Sequence, residues 1–171
     1  MARGDGNGWV RCRCGQRHWG LHGAAGLVLL RREGDGAAQI AEVLLQLRAG
    51  WTHQGGSWAL PGGARDSHED VVSAALREAA EEVGLDEADV EVTARAIGVD
   101  HVDWRYTYVI AWAGDDIGVE VHNDESEEIR WVRLDEVGGL PLHSALAASW
   151  PALRERLTAV DDARPSAIPP R

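Results

Sequence analysis

Three glutamates, Glu78, Glu81 and Glu82, could do metal chemistry if they lie on a helix. Positions i, i+3 and i+4 share one helix face, so their carboxylates would lie together and repel one another. Carboxylate oxygens are the ligands that hard cations such as Mg²⁺ prefer. The spacing therefore favours a divalent-cation site, and a solvated acidic helix face is the plain alternative.

The segment that carries these glutamates has the pattern of an amphipathic helix over residues 69–83. Gly84 is placed to end that helix in a left-handed turn. Asp66, Ser67 and Asp70 are alternative N-caps, and the sequence leaves the three open. Apolar residues recur at helical spacing and predict one buried stripe. The stripe consists of Val71, Val72, Ala75, Leu76, Ala79 and Val83.

Short apolar runs on both sides of this helix predict β-strands. Two of them, residues 24–31 and 40–47, flank a turn rich in Gly and Asp and predict a hairpin. A second helix is predicted near residues 143–158, with Pro151 either kinking it or starting a new turn. This order predicts an α/β protein with a mixed sheet. The other strands are predicted at 90–99, 106–113 and 128–134, with a short extended piece at 57–60.

Charge and hydropathy exclude several classes of function. The 171 residues carry a formal net charge of −11, which argues against binding a long nucleic acid. No apolar run approaches the roughly 18 residues that span a bilayer, and no secretory signal is evident. With two cysteines too close for an ordinary disulfide, a reducing cytoplasm is the default location. Ten acids fall within residues 65–91, so the acidity is concentrated around the glutamate helix.

Residues 63–85, GARDSHEDVVSAALREAAEEVGL, resemble the signature of the Nudix hydrolase family, G-x5-E-x7-R-E-U-x-E-E-x-G-U, where U is bulky and apolar. Every fixed position matches, and only Ala79 is smaller than the usual U residue. The resemblance implies an α/β/α sandwich with a mixed β-sheet, in which the motif forms a loop–helix–loop. It places the Nudix domain at residues 21–160, between an N-terminal extension at 1–20 and a disordered tail at 161–171. The extension is either flexible or metal-binding.

The resemblance also implies an activity. Members of the family hydrolyse small nucleotides in which a nucleoside diphosphate is linked to another moiety, and they use Mg²⁺ or Mn²⁺. A salt-bridged pair orients the loop and the helix, and a glycine carbonyl can add to the metal ligands. The catalytic positions correspond here to Glu69, Arg77, Glu78, Glu81 and Glu82, and the metal-binding positions to Gly63, Glu78, Glu81 and Glu82.

The resemblance leaves the general base open. Glu78 is a candidate base as much as a metal ligand. Some family members take the base from a loop outside the motif, which here corresponds to the acidic stretch 123–128. Glu125, Glu127 and Glu128 are the candidates there, with an exposed acidic turn as the alternative for each.

The substrate is inferred by elimination. Short signatures of the NADH, coenzyme A, ADP-ribose and diadenosine polyphosphate subgroups are absent or displaced. A MutT-like pyrophosphohydrolase of (d)NTP or oxidised dNTP is therefore favoured. The alternatives are an ADP-ribose or nucleotide-sugar pyrophosphatase and a non-catalytic nucleotide sensor, and a homodimer is open because dimers are common in the family. Candidate substrate contacts are Arg48, Trp58, Arg105 and Glu125, each with packing or surface solvation as the alternative.

Cys12, Cys14, His18 and His22 form a separate candidate site for zinc. Thiolate and imidazole are zinc ligands, and structural zinc sites take four of them. However, the C-x-C spacing is tighter than the usual C-x2–4-C. A segment with free thiols is the alternative.

Overall fold

One mixed β-sheet separates two helices in the part of the chain that the computed structural model describes, residues 4–32, 40–114 and 117–162. Short 3-10 turns at Glu87–Asp89 and Val137–Gly139 join neighbouring elements. The strands and helices are β1 (Trp9–Arg11), β2 (Arg17–Trp19), β3 (Ala24–Arg32), β4 (Ile40–Arg48), β5 (Trp58–Ala59), β6 (Gly62–Ala64), α1 (Val71–Val83), β7 (Val90–Asp100), β8 (Arg105–Ala113), β9 (Ser126–Arg133) and α2 (Ser144–Asp162).

Pairing between β3 and β8 makes the main sheet mixed. These strands run parallel, from Ala24 beside Tyr106 to Leu30 beside Trp112, and β3 pairs antiparallel with β4, which confirms the predicted hairpin. The strand order is β5-β4-β3-β8-β7, while β6 also pairs with β3 and β9 with β4. The short strand β6, which precedes α1 in the chain, is therefore held at the sheet by its pairing with β3.

The helix α1 packs closely on one face of the sheet because alanines line its inner side. Ala75 and Ala79 are fully buried in a cluster with Leu27 and Val109 of the sheet. The small side chain at Ala79 lets the helix backbone approach the strands. On the opposite face, α2 buries an apolar row that begins at Leu146. The predicted α/β/α sandwich is confirmed.

Both ends of α1 are set by local sequence. The Asp70 carboxylate accepts hydrogen bonds from the backbone N–H groups of Val72 and Ser73, both at 2.9 Å. Asp70 is therefore the N-cap among the three candidates. Gly84 adopts a left-handed φ of 68° and its N–H donates to the Ala80 carbonyl oxygen at 3.2 Å. A non-glycine residue would be strained in this conformation.

Residues 4–20 lie against the domain, and part of them forms the β1–β2 hairpin, which the sequence pattern did not indicate. The Gly6 backbone N–H donates to the Asp66 carboxylate at 2.7 Å. The indole N–H of Trp104 donates to the Trp19 carbonyl oxygen at 3.0 Å. The N-terminal extension is therefore joined both to the loop before α1 and to the turn between β7 and β8.

The second helix extends beyond its predicted end. It runs to Asp162 with Pro151 in its interior, so residues 161 and 162 of the predicted tail are helical, and residues 163–171 lie outside the described part of the chain. Within the described ranges, neither helix combines the length and apolar character needed to cross a membrane.

Candidate active site

Glu82 is the buried carboxylate at the centre of the site. It is 4% exposed, and its Oε2 accepts two hydrogen bonds at 2.8 Å, from the Gly62 backbone N–H and from the Gln46 side-chain amide. Burial raises the pKa of Glu82 to about 8, and the charge of Glu78 adds to the shift while the two hydrogen bonds oppose it. In the absence of a cation, Glu82 therefore binds a proton at neutral pH.

Two residues beside Glu82 lie outside the predicted site. Gln46 of β4 is 1% exposed, donates to Glu82 and accepts the Ser126 hydroxyl. Burial raises the pKa of Tyr106, and the neighbouring charges of Tyr108 and Glu82 act in the same direction, so the Tyr106 phenol is neutral. The available signal for Gln46 was a single amide within the apolar stretch 43–47, since a buried polar group needs partners.

Two glycines of β6 bring the backbone against the carboxylates. A Cβ on Gly63 would lie 2.6 Å from the carboxyl carbon of Glu78, and a Cβ on Gly62 would lie 2.4 Å from a carbonyl oxygen of β3. Gly62 therefore has no room for a side chain, while a side chain at Gly63 would displace the Glu78 carboxylate. The structure therefore places the Gly63 backbone beside Glu78, where its carbonyl could join a shared metal.

Arg77 ties the loop before α1 to the helix. Its Nε and Nη2 donate to the two carboxylate oxygens of Glu69 at 2.6 and 3.0 Å, and Nη2 also donates to the Ala64 carbonyl oxygen at 2.9 Å. The bond to Arg77 lowers the pKa of Glu69, and the same bond raises the pKa of Arg77. Both groups therefore stay ionised, and the two-point contact fixes their orientation.

The remaining motif carboxylates are progressively more open to solvent. The half-buried Glu78 accepts a hydrogen bond from Arg77 Nη1 at 2.8 Å. Burial raises the pKa of Glu78 against the opposing charge of Arg77, and Glu81 and Glu125 raise it further. Glu81 is exposed, with its Oε1 3.6 Å from Arg77 Nη1. The three carboxylates on this helix therefore differ in burial, from the buried Glu82 to the exposed Glu81.

The acidic loop reaches the site along the end of α1. The backbone N–H groups of Glu120 and His122 donate to the carbonyl oxygens of Val83 and Glu82, both at 3.1 Å. This pairing holds the chain segment that leads to β9 against the glutamate helix, so the acidic loop that follows is brought near the same helix end.

The three loop glutamates have different partners. Glu127 accepts a backbone N–H of the turn after β4 at 2.8 Å. Glu128 forms an ion pair with Arg130 at 2.6 Å. Glu125 is exposed, and its charge is one that raises the pKa of Glu78. Among the three, Glu125 is thus the carboxylate that acts electrostatically on the motif.

The donor set fits a hard divalent cation. Its ligands would be the carboxylates of Glu78, Glu81 and Glu82 and the carbonyl oxygen of Gly63, all of them oxygen atoms, as Mg²⁺ requires. Burial of the Glu82 carboxylate, and to a smaller extent the charge of Glu78, disfavours the ionised form of Glu82 and raises its pKa. A bound cation would reverse that balance, because an adjacent positive charge favours the ionised form.

The four candidate substrate contacts separate into two groups. Arg48 and Glu125 lie near the carboxylates, since the charge of Arg48 acts on Glu82 and that of Glu125 acts on Glu78. Arg48 Nε also donates to the His53 carbonyl oxygen at 3.1 Å. Trp58 and Arg105 contact Arg130 and Asp100 instead.

The structure gives Trp58 and Arg105 other partners, and their role in substrate binding stays a prediction. Trp58 is 5% exposed in the core, because β5 turns its side chain toward the layer covered by α2, and Arg130 lies 4.6 Å from its ring centroid. Arg105 is opposite Asp100 in the β7–β8 ladder and forms an ion pair with it at 2.8 Å. Core packing of Trp58 and a cross-strand salt bridge of Arg105 are thus the contacts that the structure shows for these two residues.

The chain is similar to known proteins over most of its length, not only in the glutamate motif. A family model described as NUDIX domain matches residues 20–155. A Mycobacterium tuberculosis (strain H37Rv) protein with the provisional name 8-oxo-dGTP diphosphatase 3 is 50% identical over 169 residues, which is 96% of this chain and 76% of that protein. A crystal structure of a Nudix hydrolase from M. smegmatis has 48% identity and a TM-score of 0.82, and the match covers 91% of this chain and 97% of that one.

A longer relative shows the same domain beside another. A Bifidobacterium longum protein named as a nucleoside triphosphate pyrophosphatase/Nudix hydrolase fusion protein is 40% identical over 154 residues. The match covers 89% of this chain but 32% of that protein. The similarity is therefore confined to one part of the fusion.

The substitution Glu82→Gln should remove a pH dependence of stability. Folding raises the pKa of Glu82 from 4.5 to about 8, so its contribution is fully present below about pH 4.5 and is lost as pH rises through about 8. With EDTA present, the free energy of unfolding of the unsubstituted protein should fall by up to about 1.4 kcal/mol per pH unit relative to the variant. Urea denaturation between pH 6 and 8 measures this difference.

The exposed Glu81 provides the matched control for this experiment, because Glu81→Gln makes the same chemical change on the same helix. That variant should keep the pH dependence of the unsubstituted protein. Parallel stability curves for the unsubstituted protein and Glu82→Gln would contradict the protonated state of Glu82.

Proposed function

The chain belongs to the Nudix hydrolase family, and we propose that this pyrophosphohydrolase acts on deoxynucleoside triphosphates with an oxidised purine, the class that includes 8-oxo-dGTP. The observation that carries the catalytic part is the buried Glu82 carboxylate held by Gly62 and Gln46 beside two further glutamates. The substrate class is supported by the 50% identity to the M. tuberculosis relative, which extends over 96% of this chain. The complete glutamate set favours an enzyme over a nucleotide sensor.

The proposed cation is Mg²⁺ or Mn²⁺, held by Glu78, Glu81, Glu82 and the carbonyl oxygen of Gly63. When bound, such a cation neutralises pyrophosphate charge and lowers the pKa of a coordinated water. The described residues support this choice because the candidate donors on α1 and β6 are carboxylate and carbonyl oxygens, with no sulfur among them.

The chain itself orients the reacting groups. The hydrogen bonds from Gly62 and Gln46 fix the Glu82 carboxylate, and the Arg77–Glu69 contact fixes the loop that carries Gly63. Arg48 supplies positive charge on the sheet side of the site and is assigned to a substrate phosphate, since guanidinium groups bind phosphate oxygens with good geometry. These residues would hold the substrate phosphates against the carboxylates.

Glu125 is the proposed general base. Glu78 already accepts a hydrogen bond from Arg77, which reduces its ability to take a proton, whereas Glu125 is exposed and close enough to influence Glu78. A water oxygen forms a bond to phosphorus, its proton passes to the Glu125 carboxylate, and the bond from that phosphorus to the bridging oxygen breaks. The departing phosphate group keeps the electron pair of that bond.

A cytoplasmic location completes the proposal, because Cys12 and Cys14 are both free thiols and nucleoside triphosphates are intracellular metabolites. The homodimer that the family resemblance allows stays a prediction.

Hydrolysis of a nucleotide panel tests the proposed function. With Mg²⁺ present, kcat/KM should be highest for 8-oxo-dGTP when it is compared with dGTP, ADP-ribose and a nucleotide sugar, with products separated by chromatography. Glu82→Gln should lower kcat by about 10²-fold or more, because it removes a ligand or proton acceptor. The exposed Glu87→Gln, outside the site, is the control and should retain full activity.

The alternatives give different results in the same panel. Preferential hydrolysis of ADP-ribose or of a nucleotide sugar would replace the proposed substrate class. Nucleotide binding with no hydrolysis of any compound would indicate a sensor.

Glu125→Gln tests the assignment of the general base. Loss of the proton acceptor should lower kcat by about 10²-fold to 10⁴-fold and flatten the acid limb of the pH–rate profile, with little change in KM. Glu127→Gln, a neighbouring loop variant whose side chain can still accept the backbone N–H, should remain within a few-fold of the unsubstituted enzyme. A full pH–rate profile in Glu125→Gln, together with its loss in Glu78→Gln, would assign the base to the helix.

A further inference from the structure

We propose that Cys12, Cys14 and His18 bind a zinc ion in the N-terminal hairpin, at a site separate from the carboxylates. The ligand atoms of these three side chains lie within 4.8 Å of one another. Around one tetrahedral zinc ion, with bonds of about 2.3 Å to sulfur and about 2.0–2.1 Å to nitrogen, ligand atoms lie about 3.5–3.8 Å apart. Small side-chain rotations would therefore bring all three onto one ion.

The turn between β1 and β2 explains how a C-x-C spacing can work here. The Cys12 N–H donates to the Gln16 carbonyl oxygen and the Gly15 N–H donates to the Cys12 carbonyl oxygen, both at 3.0 Å. Gly15 has a left-handed φ of 89°, which lets the chain reverse within these residues. The reversal brings β2, and with it His18, back beside the two cysteines.

Two short contacts link Cys12, Cys14 and His18. The Cys14 N–H donates to the Cys12 sulfur at 3.4 Å, and the Cys14 Sγ lies 3.2 Å from His18 Nε2. The backbone N–H of Cys14 lowers the pKa of the Cys12 thiol and so favours its anionic form, which is the form that binds zinc. The three groups thus converge on a common point.

The turn between β7 and β8 holds the imidazole in place. The His18 ring stacks on Trp104 with centroids 4.6 Å apart and on His101 with centroids 4.5 Å apart. Arg13, between the two cysteines, binds the Asp103 carboxylate through Nε and Nη2 at 3.0 and 2.7 Å. These contacts reduce the freedom that the ligands would lose on binding.

His22, the fourth residue predicted for this site, is not grouped with the other three. The described cluster contains Cys12, Cys14 and His18 alone, and the His22 carbonyl oxygen instead accepts hydrogen bonds from Arg65. Cys14 is exposed, so a water molecule can complete the tetrahedron.

A zinc ion bound at this site would also stabilise the short β1–β2 hairpin. Each strand of the hairpin has three residues, and Trp9 and Trp19 on it are 45% and 43% exposed. An isolated two-stranded hairpin is only marginally stable, and small units often depend on a metal. The hairpin also precedes the part matched by the family model, which begins at residue 20.

Metal analysis of the full-length protein tests the site. After purification without chelators and equilibration with Zn²⁺ followed by desalting, native mass spectrometry should find about one zinc ion per chain, as a single tetrahedral site requires. Replacement by Co²⁺ should give thiolate charge-transfer absorption in the near ultraviolet. Cys14→Ser changes an exposed residue and should abolish both signals, while circular dichroism confirms that the variant remains folded.

Two controls separate this site from its surroundings. His22→Asn removes a nearby histidine outside the cluster and should keep the zinc and the charge-transfer band. Glu82→Gln disables the carboxylate site and should keep both as well, so failure of the proposed hydrolase function would leave this result unaffected.

Three outcomes would overturn the zinc site. One is an unsubstituted protein that binds no zinc and gives no charge-transfer band. Another is zinc retained in Cys14→Ser but lost in Glu82→Gln. The third is a Cys12–Cys14 disulfide that persists in the presence of reductant.

Discussion

The burial of the Glu82 carboxylate is the constraint on which the rest of the site depends. An ionised carboxylate that is removed from water is strongly disfavoured unless a positive charge or hydrogen-bond donors face it. The Gly62 N–H and the Gln46 amide supply two donors, but the pKa of Glu82 still rises to about 8. The remaining stabilisation must come from a proton or from a cation, which is why this site is suited to metal binding.

The fold supplies what that constraint requires. The pairing of β6 with β3 places the Gly62 N–H at the sheet, and the capped helix α1 places Glu82 against it. Fully buried Ala79 lets the helix approach closely enough for these groups to meet. Arg77 then holds the loop against the helix through Glu69. Each contact involves a small residue or a residue with several hydrogen bonds, so the site has little freedom to relax.

Much of this arrangement could be predicted because it is local in sequence. The spacing of the glutamates, the end of α1 at Gly84 and the apolar runs of the strands are each determined by a few neighbouring residues. The role of Gln46 could not be predicted, since its partner Glu82 is 36 residues away and only the packing of α1 on the sheet brings the two together. The burial of Trp58 in the layer covered by α2 could not be predicted either, because sequence position near the motif does not reveal which face of the sheet a side chain takes. The β1–β2 hairpin has strands too short for any periodicity to appear.

The most direct test is the number of protons released when Mg²⁺ binds. A cation that is bound through Glu82 must displace the proton held there, because metal ligands bind in their deprotonated form. Calorimetric titrations at pH 7 in buffers of different ionisation enthalpy should show release of about one proton per cation, falling toward zero above the Glu82 pKa of about 8. Glu82→Gln should abolish the release. Tight Mg²⁺ binding at pH 7 without proton release would contradict the account.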